Sequence, residues 1–197
     1  DVSVGADDKN VDSATADWLS KTYAQGNKKV QAFTSAAIFN QGAMARRAST
    51  MASDFSLPCT TDVIESWDFD VLEYDQGKLT TVFMYIFTVL NVFEEFKVQE
   101  DVMRAFLTEL SGKYLDNTYH NYYHGFDVAH TVYRILNVSF LNLAFSHLEM
   151  FSLMVAAVGH DVGHPGVNNA YLIKAKDHLA LAHNDRSPLE NMHCAVI

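Results

Sequence analysis

Proline and glycine are scarce in this chain, which has 3 prolines and 9 glycines among its 197 residues. A β-sandwich or barrel needs many tight turns, so this scarcity argues against a turn-dense β-fold. Cysteine is also rare: Cys59 and Cys194 form no CxxC pair and no disulfide framework, which is typical of a reducing compartment. Hydrophobic residues make up 49% of the chain, enough to bury a core and to exclude general disorder.

Positive charge and long apolar runs are lacking as well. The 14 basic and 24 acidic residues give a net charge of −10, which repels nucleic-acid backbones and anionic membrane surfaces, so we expect no nucleic-acid partner. The longest apolar stretches, residues 81–93 and 148–158, fall short of the roughly 20 residues that cross a bilayer. We therefore expect no transmembrane segment and a cytoplasmic location, with any membrane association arising from regions outside these residues.

The spacing of the apolar residues predicts an all-α fold. A long central helix is expected over residues 79–96, followed by helices over about 99–110 and 124–141. The second and third of these helices should each bury one face, formed by Val102, Phe106 and Leu110 in one and by Val128, Val132, Ile135 and Leu136 in the other.

Two capping boxes mark the starts of further helices. Ser146 with Glu149 opens an apolar helix that should end near His160. Ser187 with Glu190 opens a helix that is still apolar at the last residues of the chain. We therefore expect the chain to be truncated within a helix.

The histidines are the most informative residues, because all nine of them follow residue 119. Imidazole and carboxylate donors together suit zinc, iron or manganese, and a carboxylate can bridge to a second, oxygen-preferring magnesium or manganese ion. A single histidine is more often a structural residue than a metal ligand. Several histidine and aspartate residues at helical spacing in one segment favour a metal site instead. The candidates are His120, His124, His160, Asp161 and His164.

The spacing of His160 and His164 can also be compared with the HExxH helix of zinc proteases. The residue after His160 is aspartate, which is shorter than the glutamate that serves as the protease base. Gly163 and Pro165 would also break a helix that continues in the proteases. A protease site is therefore not favoured.

Three segments, YHNYYHGFDVAHTVYRIL, AAVGHDVGHPGVNNAYLI and LALAHNDRSPLENMH, resemble in order and spacing the class I cyclic nucleotide phosphodiesterase catalytic domain. The resemblance is clear from about Val92 to His193. It implies a multi-helical HD-type fold, a two-metal site and hydrolysis of cyclic AMP or cyclic GMP to the 5′-monophosphate. Residues 1–60 would then be a helical extension packed on the domain, and residues 61–197 its N-terminal and middle part.

The resemblance also implies roles for individual residues. His124, His160 and Asp161 resemble the ligands of the tighter metal ion, usually assigned as Zn²⁺, and Asp161 would also lie close to a second ion, Mg²⁺ or Mn²⁺. His164 resembles a histidine beside the metal site that is not itself a ligand.

Three further residues resemble groups that act on the substrate. His120 resembles the general acid, and it would contact the substrate together with Tyr119, which lines the mouth of the pocket. Glu190 resembles the acidic residue that polarises the site near the general acid, although its place in a capping box is an independent explanation.

The chain departs from common choices of the family at four positions, Gly125, His130, Gly163 and Met192. None of these is an expected metal ligand, so the departures bear on fine tuning rather than on the reaction.

Two other functions stay open. The chain could be another HD-type metal-dependent nucleotide phosphohydrolase, or an inactive nucleotide-binding regulatory module. The family's last carboxylate ligand and its purine-reading glutamine follow the NDxSxLEN motif at positions beyond Ile197. We therefore expect residues 1–197 alone to be inactive, and the sequence decides neither the preferred cyclic nucleotide nor the oligomeric state.

Overall fold

The computed structural model describes residues 56–138 and 144–197, and this part of the chain is helical, with no β-strand in it. In chain order the helices are α1 Thr61–Ile64, α2 Gln76–Val89, α3 Val92–Phe96, α4 Glu100–Gly112, α5 Tyr122–Val138, α6 His147–Gly159, α7 Asn169–Ala175, α8 His178–Ala182 and α9 Pro188–Val196. A short 3-10 helix, Val71–Glu73, precedes α2. The prediction of an all-α fold is therefore confirmed for the described residues.

The helix predicted over residues 79–96 is divided in the structure into α2 and α3. Helix α2 is buried on almost its whole circumference, and Asp75 caps it by accepting a hydrogen bond from the Lys78 amide at 2.9 Å. The division follows from Asn91, whose φ of 63° lies in the left-handed region and ends regular helical geometry. Asparagine tolerates this region better than most residues, which explains why the break falls here.

The buried faces of α4 and α5 agree with the predicted ones except at one position each. In α4, Leu110 is buried with Met103 and Leu107, and Phe106 packs against the core, whereas Val102 is 58% exposed. In α5, Leu136 is buried, Val128 and Val132 pack against the core, and Ile135 is 42% exposed. The fully buried stripe of α5 also includes residues that were not predicted, which recur at helical spacing: Tyr122, Phe126, Ala129 and Tyr133. Large aromatic side chains bury more area than the aliphatic ones, and they decide which side of α5 faces the core.

Helices α5 and α6 approach each other closely at a glycine. The hydroxyl of Tyr114 donates a hydrogen bond to the main-chain oxygen of Val158 at 2.7 Å. A Cβ atom on Gly125 would lie 2.5 Å from that hydroxyl and 3.0 Å from the Val158 oxygen. The departure at Gly125 therefore has a packing reason, and the close approach brings the start of α5 next to the end of α6.

Glu65, which directly follows α1, connects that helix to the core. Its carboxylate accepts hydrogen bonds from the hydroxyls of Tyr133 and Tyr85, the latter at 3.3 Å. It also accepts from Arg134 Nη1 at 3.1 Å and from Asn137 Nδ2 at 3.3 Å. Three of these donors lie on α5, so one carboxylate fixes the C-terminal half of the helix that carries His124.

The two predicted capping boxes have different outcomes. The box of Ser146 and Glu149 forms in full at the start of α6. Helix α9 begins at Pro188, as predicted, but Ser187 has a φ of 43° and its side chain accepts no capping hydrogen bond. Proline supplies no amide hydrogen at the first helical position. The next amide, that of Leu189, donates to the side chain of Asn169 on α7.

Among the described residues, no helix combines the length and the hydropathy that spanning a bilayer requires. The predicted helical extension falls mostly on residues 1–55, which lie outside the described residues. The domain division at residue 60 therefore stays a prediction.

Candidate active site

Histidine and aspartate side chains from two helix ends meet at one place. His124 lies in the first turn of α5, where its amide donates to Asn121 Oδ1 at 3.2 Å. His160 and Asp161 directly follow the end of α6 at Gly159. One ligand atom from each of His124, His160 and Asp161 lies within 4.8 Å of the others, so the structure brings the three predicted ligands together.

The chemistry of these three donors fits a metal cation. His160 Nδ1 lies 2.8 Å from the main-chain oxygen of Ala157, and because a carbonyl oxygen only accepts, Nδ1 carries the hydrogen. In the neutral ring, Nε2 then has a free lone pair and faces Asp161 Oδ2 at 3.2 Å. Two acceptors facing each other are stabilised by a cation between them. His124 Nε2 faces the same carboxylate oxygen at 3.4 Å.

The protonation of His124 also suits metal binding. Burial lowers the pKa of His124, and the neighbouring His160 lowers that pKa further, while Asp161 opposes the change. A lowered pKa favours the neutral imidazole near pH 7, which is the form that binds a metal.

His120 and Tyr119 lie beside these donors. The rings of His120 and His164 are stacked with a centroid distance of 3.9 Å and an interplanar angle of 6°. The Tyr119 ring lies 4.5 Å from that of His124, and Tyr119 is 62% exposed, as a residue at the mouth of a pocket would be.

His164 is buried, and one nitrogen of its ring is already engaged in a hydrogen bond. Its Nδ1 accepts a hydrogen bond from the Gly166 amide at 3.0 Å, so in the neutral ring the hydrogen is on Nε2. Burial lowers the pKa of His164, and His120 lowers it further. Because neither ring nitrogen then has a free lone pair, the arrangement agrees with the expectation that His164 is not a metal ligand.

Asn117 is a site residue that sequence reasoning missed. Its Nδ2 donates to the main-chain oxygens of His120 at 3.1 Å and of His164 at 2.6 Å, and so joins the two segments that carry the stacked rings. Gly166 makes room for it: a Cβ atom there would lie 2.9 Å from Asn117 Oδ1, and its φ is 81°. An asparagine in a loop is usually read as a turn former, so the sequence carried no signal for this bridge.

His193 was also missed as a site residue, although it ends the third motif segment. It is 4% exposed, and its Nδ1 lies 2.7 Å from the main-chain oxygen of Val162, to which it donates. Its Nε2 faces Asp161 Oδ1 at 3.7 Å. His160 and His193 therefore approach opposite oxygens of one carboxylate, each with its Nδ1 bound to a main-chain carbonyl.

Glu190, which the resemblance places near the general acid, is hydrogen-bonded to a residue of α7. Among the hydrogen bonds of the described residues, none joins the side chains of Glu190 and His120. The Glu190 carboxylate accepts instead from Asn169 Nδ2, at 3.2 Å to one oxygen and 3.0 Å to the other. Its own helical amide and Asn169 lower the pKa of Glu190, so the carboxyl is ionised at neutral pH.

Two of the departures from the family pattern are neighbours in space. A Cβ atom on Gly163 would lie 3.3 Å from Met192 Sδ, and Gly163 has a φ of 72°, which favours glycine. A larger residue at position 163 would thus require the flexible Met192 side chain to shift, so the two departures lie in one packing contact.

An apolar groove of about 660 Å³ lies between α4, α6 and the end of α9. Its lining includes Val102, Phe106, Phe151 and Ile197 but none of the histidines described above. The polar, metal-compatible chemistry is therefore in a different place from this groove.

Residues 119–197 match the family model for 3′5′-cyclic nucleotide phosphodiesterase. The curated relatives include 3′,5′-cyclic-nucleotide phosphodiesterase regA of Dictyostelium discoideum, 36% identical over 135 residues, which are 68% of this chain and 17% of the relative. Another is the human high affinity cGMP-specific 3′,5′-cyclic phosphodiesterase 9A, 34% identical over 139 residues, 71% of this chain and 23% of the relative.

Residues 119–197 belong to the cyclic nucleotide phosphodiesterase family. A solved structure agrees: the phosphodiesterase domain of the RhoPDE fusion protein from the choanoflagellate Salpingoeca rosetta superposes with a TM-score of 0.66 at 32% identity, covering 76% of this chain and 44% of that one. The chain thus spans under a quarter of the length of the curated relatives given above. The family uses divalent metal ions, and His124, His160 and Asp161 form a group that could hold one.

Proposed function

We propose that this chain contributes to the catalytic site of a metal-dependent phosphodiesterase that hydrolyses 3′,5′-cyclic nucleotides to nucleoside 5′-monophosphates. The observation that supports this most directly is the meeting of His124, His160 and Asp161 beside the stacked His120. All of these residues lie within the segment that matches the family. The scarcity of cysteine supports a cytoplasmic location for such an enzyme.

The metal ions of this proposal follow from the resemblance to the family, and the donor types are compatible with them. His124, His160 and Asp161 would hold Zn²⁺, which accepts two imidazoles and a carboxylate, as iron and manganese also do. Asp161 would also contribute to a second site for Mg²⁺ or Mn²⁺, ions that prefer oxygen ligands. When bound, such a pair supplies an activated water nucleophile and neutralises charge on the phosphoryl group.

His120 would donate the proton that the departing 3′ oxygen needs. A histidine suits this role because its ordinary pKa, about 6.5, lies near neutral pH. The His164 ring against one face of His120 and the Asn117 bridge to its main chain hold the donor in one orientation. This fixed orientation is what general acid catalysis requires.

Two exposed residues complete the proposed site. Tyr119 would contact the substrate from the mouth of the pocket, since its ring lies against His124 and most of its surface is open. Glu190 would act on the site through its negative charge, which opposes the lowering of the His164 pKa by burial.

The activity is tested with the full-length protein that carries this sequence. Cyclic AMP and cyclic GMP are each incubated with Mg²⁺ or Mn²⁺, and the 5′-monophosphate is quantified beside a parallel assay with nucleoside triphosphates. We expect hydrolysis of at least one cyclic nucleotide, and its loss in Asp161→Asn. The matched control is Asp116→Asn, which changes an exposed aspartate outside the site.

The other candidate functions correspond to other results of the same experiment. Hydrolysis of triphosphates but not of cyclic nucleotides would identify a different HD-type phosphohydrolase. Cyclic nucleotide binding in an equilibrium assay, with no product in either reaction, would identify a regulatory module. Either result would refute the proposed activity.

A further inference from the structure

Asn169, the first residue of α7, makes hydrogen bonds with both ends of its side-chain amide. Its Nδ2 donates to both carboxylate oxygens of Glu190, at 3.2 and 3.0 Å. Its Oδ1 accepts from the main-chain amide of Leu189 at 3.0 Å. One half-buried side chain on α7 therefore binds both the backbone and the key carboxylate of α9.

These contacts explain why the predicted capping box of α9 does not form. Ser187 lies in the left-handed region and offers no side-chain acceptor to the helix. Asn169 supplies that acceptor from another helix, which frees Glu190 from the backbone role that its sequence position suggests. Glu190 is then directed outward, toward the donor on α7.

The position of Glu190 on α9 places its charge near the proposed site. Glu190 lies one helical turn before His193, whose Nε2 faces Asp161 Oδ1 at 3.7 Å. The charge of Glu190 also opposes the lowering of the His164 pKa by burial. An exposed glutamate without a partner would sample several rotamers, so its charge would be spread over a wider volume.

We propose that Asn169 is a positioning residue that holds the Glu190 carboxylate in the orientation at which its negative charge serves the proposed site. This inference rests on the proposed phosphodiesterase function. The two ends of the Asn169 amide have separable tasks: Oδ1 caps α9, whereas Nδ2 fixes the carboxylate.

The variant Asn169→Asp tests the second task alone. Aspartate keeps an oxygen for the Leu189 amide, and aspartate caps helices about as well as asparagine does. It replaces the donor group with a second negative oxygen that repels Glu190. In the full-length protein we expect kcat for the hydrolysed cyclic nucleotide to fall roughly 10- to 100-fold, the scale of a misplaced catalytic group, with KM nearly unchanged.

The matched control is Asn168→Asp, one residue earlier. Asn168 also caps a helix through its side-chain oxygen, which accepts from the Tyr171 amide at 2.9 Å, but it makes no hydrogen bond with Glu190. The same exchange there should leave kcat unchanged. An equal fall in kcat in both variants would show that added charge near α7, and not the contact with Glu190, is responsible.

A double variant distinguishes positioning from support of the fold. In Asn169→Asp with Glu190→Gln, donor and acceptor are exchanged, so the hydrogen bond can re-form in the opposite direction. We expect the melting temperature to return toward that of the wild type while kcat stays low, because the carboxylate is now on α7. Recovery of both would overturn the proposal and leave Asn169 a purely structural link.

Failure of this inference can be told apart from failure of the proposed function. If the wild-type protein hydrolyses cyclic nucleotides and Asn169→Asp does so at the same kcat, the inference is wrong and the function stands. If the wild type hydrolyses none, the function itself is wrong, and a positioning role in it is refuted with it. The melting temperatures of the single and double variants then still measure the hydrogen bond between Asn169 and Glu190.

Discussion

The imidazole rings of His120 and His164 lie face to face, with centroids 3.9 Å apart, although 44 positions separate them in the sequence. The Asn117 side chain fixes this relationship by donating to the main-chain oxygens of both residues. The stack places a ring that can carry a proton next to the group of His124, His160 and Asp161 without making it a member of that group.

Replacing His120 should therefore separate proton transfer from metal binding. In His120→Asn, we expect kcat for cyclic nucleotide hydrolysis to fall by roughly 10² to 10⁴, the usual contribution of a general acid. Metal content, measured by mass spectrometry after dialysis, should be unchanged because His120 is not among the three converging donors. A variant with full activity would remove His120 from the mechanism.

His193 should matter for the metal rather than for the proton. His193→Phe keeps a buried ring but removes both the donor to the Val162 oxygen and the Nε2 atom that faces Asp161. Groups that orient a metal ligand typically change metal affinity 10- to 100-fold, and we expect a loss of about this size for Mn²⁺ by titration calorimetry. His178→Phe, at a side chain that is 85% exposed, is the matched control. Equal affinities in both variants would contradict this role.

The sequence was sufficient for the fold class and for the three converging donors, and the reasons are local. Helical periodicity and the box of Ser146 and Glu149 depend on neighbouring residues, so they can be read directly. His160 and Asp161 are adjacent at a helix end, where a glycine and a proline follow within five positions. The resemblance to the phosphodiesterase family then indicated His124 as their partner.

What could not be predicted depends on contacts between distant segments. The predicted Ser187 box failed because Asn169, on another helix, supplies the acceptor. The predicted face of α5 was wrong at Ile135, because the large Phe126 and Tyr133 set the rotation of the helix so that Leu136 is buried and Ile135 is not. The bridging role of Asn117 has no sequence pattern at all, since its two acceptors are main-chain oxygens.

The carboxylate of Glu65 should be a major contributor to stability. It is the shared acceptor for Tyr85, Tyr133, Arg134 and Asn137, and its side chain is only 29% exposed. In Glu65→Gln the volume is kept, but Arg134, whose side chain is 9% exposed, loses its ionic partner. We expect the free energy of unfolding to fall by about 2 kcal/mol, allowing for partial exposure.

Urea unfolding followed by circular dichroism measures this change. The control is Glu73→Gln, at an exposed glutamate of the 3-10 helix, which should alter stability by less than about 0.5 kcal/mol. If Glu65→Gln lowered the free energy of unfolding by no more than the control does, the carboxylate of Glu65 would not be a major contributor to stability.

His130 should make the stability of the fold depend on pH. It is 4% exposed, and its Nε2 lies 2.8 Å from the main-chain oxygen of Ile64, to which it donates. Burial lowers the pKa of His130, and the nearby Arg134 lowers it further, against the effect of the bond to Ile64. The unfolded chain, with an ordinary histidine pKa of about 6.5, therefore takes up a proton before the folded one does.

The sign of the pH effect follows from this order. The stability that neutral His130 contributes is fully present above about pH 6.5 and is lost as the pH falls toward the lower pKa of the folded state. Unfolding by urea at pH 7.5 and pH 5.5 should thus show a lower free energy at pH 5.5. The pKa values of His124 and His164 are lowered as well, so these residues contribute to the same pH dependence. The test therefore compares the wild type with His130→Gln, whose side chain can still donate to the Ile64 oxygen. We expect His130→Gln to lose less stability between the two pH values than the wild type does. His178→Gln controls for the exchange itself, and a pH dependence in His130→Gln as steep as that of the wild type would show that His130 is not the group responsible.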